Sequence, residues 1–240
     1  MSIKKHIPNT ITTLNLVFGI VGVVLAFEGR PDCAFYCMLA AALADFLDGT
    51  AARLLKAYSP MGKELDSLCD VVSFGVLPSV MLYNTMGIFC WTSHSWLYWL
   101  ALLPVLGAAL RLARFNIDPE QQDSFRGLPV PVSALICGSL CYYVWFEPNS
   151  LPGALCGFAW FIPALGALLC LLMLCRLPMI SFKFHKDDPK SLGIKRLTFV
   201  ILCLVVLLGV LVLHTNWSLA VLLCCLLYIL KNIFYSLFLL

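Results

Sequence analysis

Residues 45–70 read DFLDGTAARLLKAYSPMGKELDSLCD, with aspartates at 45, 48, 66 and 70. Asp45 and Asp48 are spaced i, i+3 and Asp66 and Asp70 i, i+4, so each pair lies on one face of a helix. The short link from Lys56 to Lys63 makes the two helices antiparallel neighbours, and the two pairs are expected to converge. Four clustered carboxylates repel strongly in a low dielectric. Oxygen donors without His or Cys beside them suit a hard divalent cation, Mg²⁺ or Mn²⁺. A carboxylate-held metal pair is also a natural clamp for a diphosphate. The competing reading pairs these acids with Arg53 or Lys63 as packing salt bridges.

What surrounds the stretch decides how much it means. The chain has 240 residues, 61% hydrophobic and 12% charged, with mean hydropathy +0.93. Soluble domains carry about twice that charge, so a cytosolic globular enzyme and a disordered chain are both excluded. A net charge of +3 gives no footprint for nucleic acid. The chain reads as an all-α polytopic membrane protein. Apolar runs long enough to span, about 20 residues each, fall at roughly 9–28, 33–55, 67–90, 94–114, 129–146, 152–175, 197–214 and 217–238. Asn9, Thr10, Thr13 and Asn15 interrupt the first run, which argues for a retained span over a cleaved leader. An aspartate at a span's centre costs roughly 2.5–3.5 kcal/mol, so intramembrane acids mark function.

With the N-terminus inside, 15 of the 16 Lys and Arg residues fall on inner segments, leaving only Arg30 outside. Both termini and the Asp cluster are then expected toward the cytosol. The 12 cysteines are scattered singly through apolar runs, without a C-x-x-C pair, and read as small buried hydrophobes. Residues 1–178 are expected to form the working core, 179–196 a basic cytosolic linker, and 197–240 an appended transmembrane hairpin.

Around the acids, Gly49, Ala52 and Gly62 make room for a ligand near the backbone, and Arg53 lies one turn beyond Gly49, in reach of a phosphate. The full pattern, Asp45-x2-Asp48-Gly49-x2-Ala52-Arg53-x8-Gly62-x3-Asp66-x3-Asp70, resembles the signature of the CDP-alcohol phosphotransferases at all eight positions. The resemblance runs from about residue 7 to 185. Softer motifs resemble the phosphatidylserine synthase branch: Glu64 through Pro78, His6-Ile-Pro-Asn-Thr10 with Asn15, Arg111-Leu-Ala-Arg-Phe-Asn116, and Phe125-Arg-Gly-Leu-Pro-Val-Pro131.

The resemblance implies a six-helix catalytic core, here carrying the extra hairpin for about eight helices, and a homodimer in a bacterial inner membrane. It implies transfer of a phosphatidyl group from CDP-diacylglycerol to an alcohol, L-serine in this branch, with release of CMP. Asp45, Asp48, Asp66 and Asp70 would then hold two divalent metals, and Asp70 would also be the general base. Gly49, Ala52 and Gly62 would line the cytidine site, and Arg53 would balance local charge. Arg111 and Arg114 are candidates for a phosphate or the serine carboxylate, or else plain inner-face anchors. Asn9, Thr10 and Asn15 are candidates for contacts to the nucleotide, or else interhelical glue; Arg126 is a weaker candidate for the lipid head group. A sister enzyme accepting glycerol 3-phosphate or inositol phosphate stays open, as does a divalent-cation transporter, although no repeat relates the two halves.

Overall fold

The computed structural model describes residues 6–90, 96–117, 127–177, 179 and 190–238. Arg126 and most of the linker 179–196 lie outside them. Every regular element among the described residues is helical: α1 (His6–Phe27), α2 (Pro31–Leu54), α3 (Pro60–Asp70), α4 (Leu77–Phe89), α5 (Leu97–Leu100), α6 (Leu103–Ile117), α7 (Val130–Phe146), α8 (Leu151–Cys156), α9 (Phe161–Leu174), α10 (Lys190–Val212) and α11 (Trp217–Phe238), with a π-helical turn, Val71–Val76, joining α3 to α4. Among the described residues, five segments are long and apolar enough to cross a membrane: His6–Phe27, Pro31–Leu54, Pro60–Phe89, Leu97–Ile117 and Trp217–Ser236. The other three expected spans correspond to the shorter apolar helices Val130–Phe146, Phe161–Leu174 and Leu197–Val212. The protein is an integral membrane protein by this architecture.

Local chemistry sets the boundaries. Pro31 and Pro60 open α2 and α3, where the missing N–H has no helical partner to lose. Ser59 caps α3, its Oγ accepting from the Gly62 N–H at 3.0 Å. The third span starts at Pro60, earlier than hydropathy suggests, because its first turns are polar. Pro78 has no N–H to give to that helix, and just before it the Leu77 N–H reaches back to the Val72 carbonyl, five residues away. The sixth span, expected as one run over 152–175, is two helices with a break at Gly157–Trp160. Its first piece starts from a tight turn in which a side chain at Gly153 would collide with the Pro148 carbonyl.

The core lies where α4 and α7 cross the bundle, around Leu77, Met81, Leu82, Met86, Val130 and Ile136, with Phe35 and Met38 of α2 against them. Glycines permit the close approaches, as expected where lipid supplies no hydrophobic drive between helices. A Cβ at Gly138 would run into Met38 and Phe35, and one at Gly22 into Leu77. The hairpin is attached through α11, which packs on α7. Trp217 stacks on Phe35 at 5.7 Å between ring centroids and meets Tyr142 at 5.3 Å. Helix α10 packs on α11 and turns a broad leucine and valine face outward.

One glycine is required by its backbone. Gly127 has φ +76°, and a Cβ there would stand 2.7 Å from the Met173 carbonyl oxygen and 2.8 Å from that of Cys175. Gly127→Ala is expected to cost about 1–3 kcal/mol, read as a lower thermal midpoint in detergent. Gly209, with nothing within 4 Å of its would-be Cβ, is the control: Gly209→Ala should be neutral or raise stability by up to about 1 kcal/mol.

Candidate active site

Helices α2 and α3 run antiparallel across a tight turn at Lys56, which takes φ 49°. Both helices pack on α1, and across the turn the last part of α2 and α3 wall one cleft with Pro8, Asn9 and Thr12 of α1. Asp45, Asp48 and Asp66 come together here, each offering a carboxylate oxygen, all within 4.8 Å of one another. Asp48 is buried and the other two are half-buried. Asp48 Oδ2 and Asp66 Oδ1 are out of reach of solvent and have no hydrogen-bond partner. An uncompensated buried carboxylate is strongly unfavourable. Orphaned oxygens in an all-carboxylate set therefore fit a hard divalent cation, and the group can hold one.

The salt-bridge alternative fails among the described residues. Arg53 is exposed and folds back on its own helix, Nε donating to the Gly49 carbonyl at 3.0 Å and Nη2 to Thr50 Oγ1 at 3.3 Å. Lys63 Nζ donates to the Asn116 carbonyl at 3.2 Å. Neither reaches an aspartate of the cluster.

Asp70 is handled differently. It is buried, stands outside the three-carboxylate group, and its Oδ1 accepts from Asn15 Nδ2 at 3.0 Å. Asn15 is held in turn by Ser73 of the π-helical turn, whose Oγ donates to the Asn15 carbonyl at 3.0 Å. A Cβ at Gly19, one turn further along α1, would strike Ser73 Oγ, so Gly19 lets the two backbones close on this link. Asn15 is completely buried, and neither it nor Asp70 is in the wall of the open cleft.

The cleft itself has a volume of about 200 Å³ and is walled by Asp48, Gly49 and Ala52 of α2, Gly62, Lys63 and Asp66 of α3, and Pro8, Asn9 and Thr12 of α1. Ala57, Tyr58 and Ser59 of the connecting turn close it. Gly49 leaves its side open, with nothing within 4 Å of a would-be Cβ. Gly62 is tighter: a Cβ would meet Asn9 Oδ1 and Ser59 Oγ, each at 3.0 Å.

Of the residues singled out from sequence, Asp48, Asp66, Gly49, Ala52, Gly62 and Asn9 line this cleft, and Asp45 joins the carboxylate group. Thr10 is exposed and bonded to the His6 carbonyl of its own helix. Arg111 is buried in α6 near Tyr228 of α11, close enough for the two to interact electrostatically. Arg114 is exposed and donates to the Leu174 carbonyl at 3.1 Å. Thr12, Ser59, Lys63 and Asn116 are additions. Thr12 lies three residues after Asn9 and so shares its face, a spacing visible in the sequence. The Ser59-Pro60 pair is likewise a readable helix start. Asn116 links α6 to α3, with Nδ2 donating to Ser67 Oγ at 2.9 Å and to Glu64 Oε2 at 3.3 Å.

A helical membrane bundle with Asp48 and Asp66 in the wall of a cleft and Asp45 beside them defines an integral membrane protein with a carboxylate group that can hold a divalent cation. Within that class, this chain belongs to the CDP-alcohol phosphatidyltransferase family, whose family model matches residues 5–172. It is 41% identical over 138 residues to a CDP-diacylglycerol–serine O-phosphatidyltransferase of Mycobacterium leprae, covering 54% of this chain and 44% of that protein. A Bacillus subtilis protein of the same name is 33% identical over 138 residues, covering 55% and 72%. An archaetidylserine synthase of Methanothermobacter thermautotrophicus is 36% identical over 135 residues, covering 55% and 56%. The matched region spans about half the length of most of these relatives.

Proposed function

We propose that this protein transfers the phosphatidyl group of CDP-diacylglycerol to the hydroxyl of L-serine, giving phosphatidylserine and CMP. The observation that carries this reading is the Asp45–Asp48–Asp66 group, with two orphaned oxygens, at a cleft built from the family's own pattern residues. Serine is favoured as acceptor because relatives named for different lipids, one phosphatidyl and one archaetidyl, are both named for serine.

Asp45, Asp48 and Asp66 would hold the divalent metal, Mg²⁺ or Mn²⁺, and in a two-ion arrangement Asp70 is the fourth carboxylate. When bound, the metal neutralises the diphosphate and the charge that develops on the leaving group. Gly49 and Ala52 leave space for the cytidine, with Asn9 across the cleft as a polar partner. Asp70, with Oδ1 engaged by Asn15, takes the serine hydroxyl proton on its other oxygen. The serine oxygen bonds to the phosphatidyl phosphorus as the bond from that phosphorus to the CMP oxygen breaks, and CMP leaves with the electron pair. Arg111 is assigned to the serine carboxylate, which its fork of donors matches. The 15 basic residues on inner segments orient the site toward the cytosol of a bacterial inner membrane, where serine arrives from water and the acyl chains stay in the bilayer. The protein is proposed to work as a homodimer.

The test uses the full chain in detergent with CDP-diacylglycerol, labelled L-serine and Mg²⁺ or Mn²⁺. Metal-dependent formation of phosphatidylserine and CMP, stopped by EDTA, is the expected result. CMP release only when glycerol 3-phosphate or inositol phosphate replaces serine would overturn the acceptor and leave the family's chemistry in place.

A further inference from the structure

Asp48 and Asp66 bring two negative charges to the cleft, and among its described lining residues only Lys63 carries a positive one. Lys63 sits three residues before Asp66 and next to Gly62, so its stem forms wall beside the carboxylates. The side chain is exposed, and its ammonium rests on a neutral acceptor, the Asn116 main-chain carbonyl, at 3.2 Å. The adjacent acid does not neutralise it: Glu64 Oε2 accepts from the Asn116 side-chain amide at 3.3 Å, and among the described residues no carboxylate pairs with Lys63. Arg53, the cation of the signature pattern itself, is turned back onto Gly49 and Thr50.

A phosphate entering this cleft meets repulsion from any carboxylate charge the metal leaves uncancelled. It therefore gains from a cation in the wall beside the carboxylates. Bonds from an ammonium to an ionised oxygen are roughly twice as strong as those between neutral groups, so a phosphate oxygen outcompetes the Asn116 carbonyl. Lys63 lines the cleft and its side chain is exposed, so the exchange calls for rotation about the lysine stem and no burial of the charge. We propose that Lys63 is the phosphate-recognising residue of the cleft, binding a non-bridging oxygen of the nucleotide's phosphate and so separating phosphorylated cytidine from cytidine itself. The proposal rests on the assignment of a CDP-linked donor above.

The experiment is calorimetric titration of CMP and of cytidine into the full chain in nanodiscs with Mn²⁺ present, comparing wild type, Lys63→Met and Lys63→Arg. Methionine keeps most of the stem and removes the charge. Loss of one charged hydrogen bond should weaken CMP binding roughly 10-fold or more, while cytidine stays within about twofold and Lys63→Arg holds CMP within about threefold. Unchanged CMP affinity in Lys63→Met would overturn the proposal, as would an equal loss for CMP and cytidine, which marks a role in shape alone. Wild-type protein that binds CMP no better than cytidine would overturn it too. A Lys63-dependent preference for CMP in a protein that makes no phosphatidylserine would uphold Lys63 and remove the serine reading.

Discussion

Asp66→Asn is expected to lower phosphatidyl transfer by about 10³-fold or more, because a bound metal supplies several kcal/mol of charge stabilisation and each 1.36 kcal/mol is tenfold in rate. The same change should leave the fold as stable as before in EDTA, or stabilise it. Asp66 carries a buried oxygen without a partner, and a neutral amide in its place removes part of the repulsion from Asp45 and Asp48. Ligand linkage provides the second measurement. At 100 times its dissociation constant a metal stabilises the folded state by about 2.7 kcal/mol, so Mn²⁺ should raise the thermal midpoint of the wild type and not of Asp66→Asn. Asp48→Asn should behave alike, since Asp48 Oδ2 is orphaned in the same group. An Asp66→Asn protein with wild-type turnover would remove the carboxylate group from the chemistry.

The second large effect is expected at Asp70. Asp70→Asn should reduce kcat by about 10²–10⁴-fold, the usual worth of a positioned general base, with little change in CMP affinity. Its distinguishing readout is again the metal. Asp45, Asp48 and Asp66 offer three oxygens within 4.8 Å of one another without Asp70, which is engaged by Asn15, so the Mn²⁺ shift in thermal midpoint should survive in Asp70→Asn while turnover does not. Loss of both would place Asp70 among the indispensable ligands. Asn15→Ala is expected to fall between wild type and Asp70→Asn in kcat, because it leaves the carboxylate in place without the donor that orients it.

Much of this protein is legible without coordinates because the bilayer simplifies the problem. A span has to satisfy its backbone internally and face hydrocarbon, so hydropathy alone locates helices such as His6–Phe27 and Trp217–Ser236. The spacing of Asp45 and Asp48, and of Asp66 and Asp70, places each pair on one helical face, and the brief link at Lys56 makes their convergence a matter of chain geometry. That covers the helical architecture, the acidic centre and the family pattern.

Periodicity describes one helix at a time, however, and says nothing of how a helix is rotated or broken against its neighbours. Only the packed bundle gives Asp70 its own partner, through a bond from α1 and a π-helical turn tied to it by Ser73. The turn directly precedes Pro78, but its bond to Asn15 depends on where α1 lies. Arg53 and Lys63 show the same division. In sequence both are cations near the cluster, and the arginine looks better placed for phosphate. In the folded chain Arg53 curls onto its own helix, while α3, set against α1 by the Asn9–Gly62 approach, puts Lys63 in the wall of the cleft. Hydropathy and residue spacing are enough to establish a helical membrane protein with a cluster of aspartates. Which three carboxylates lie closest together, which of the four bonds to Asn15 and which cation lines the cleft depend on the relative rotation of packed helices, and so come from the folded bundle.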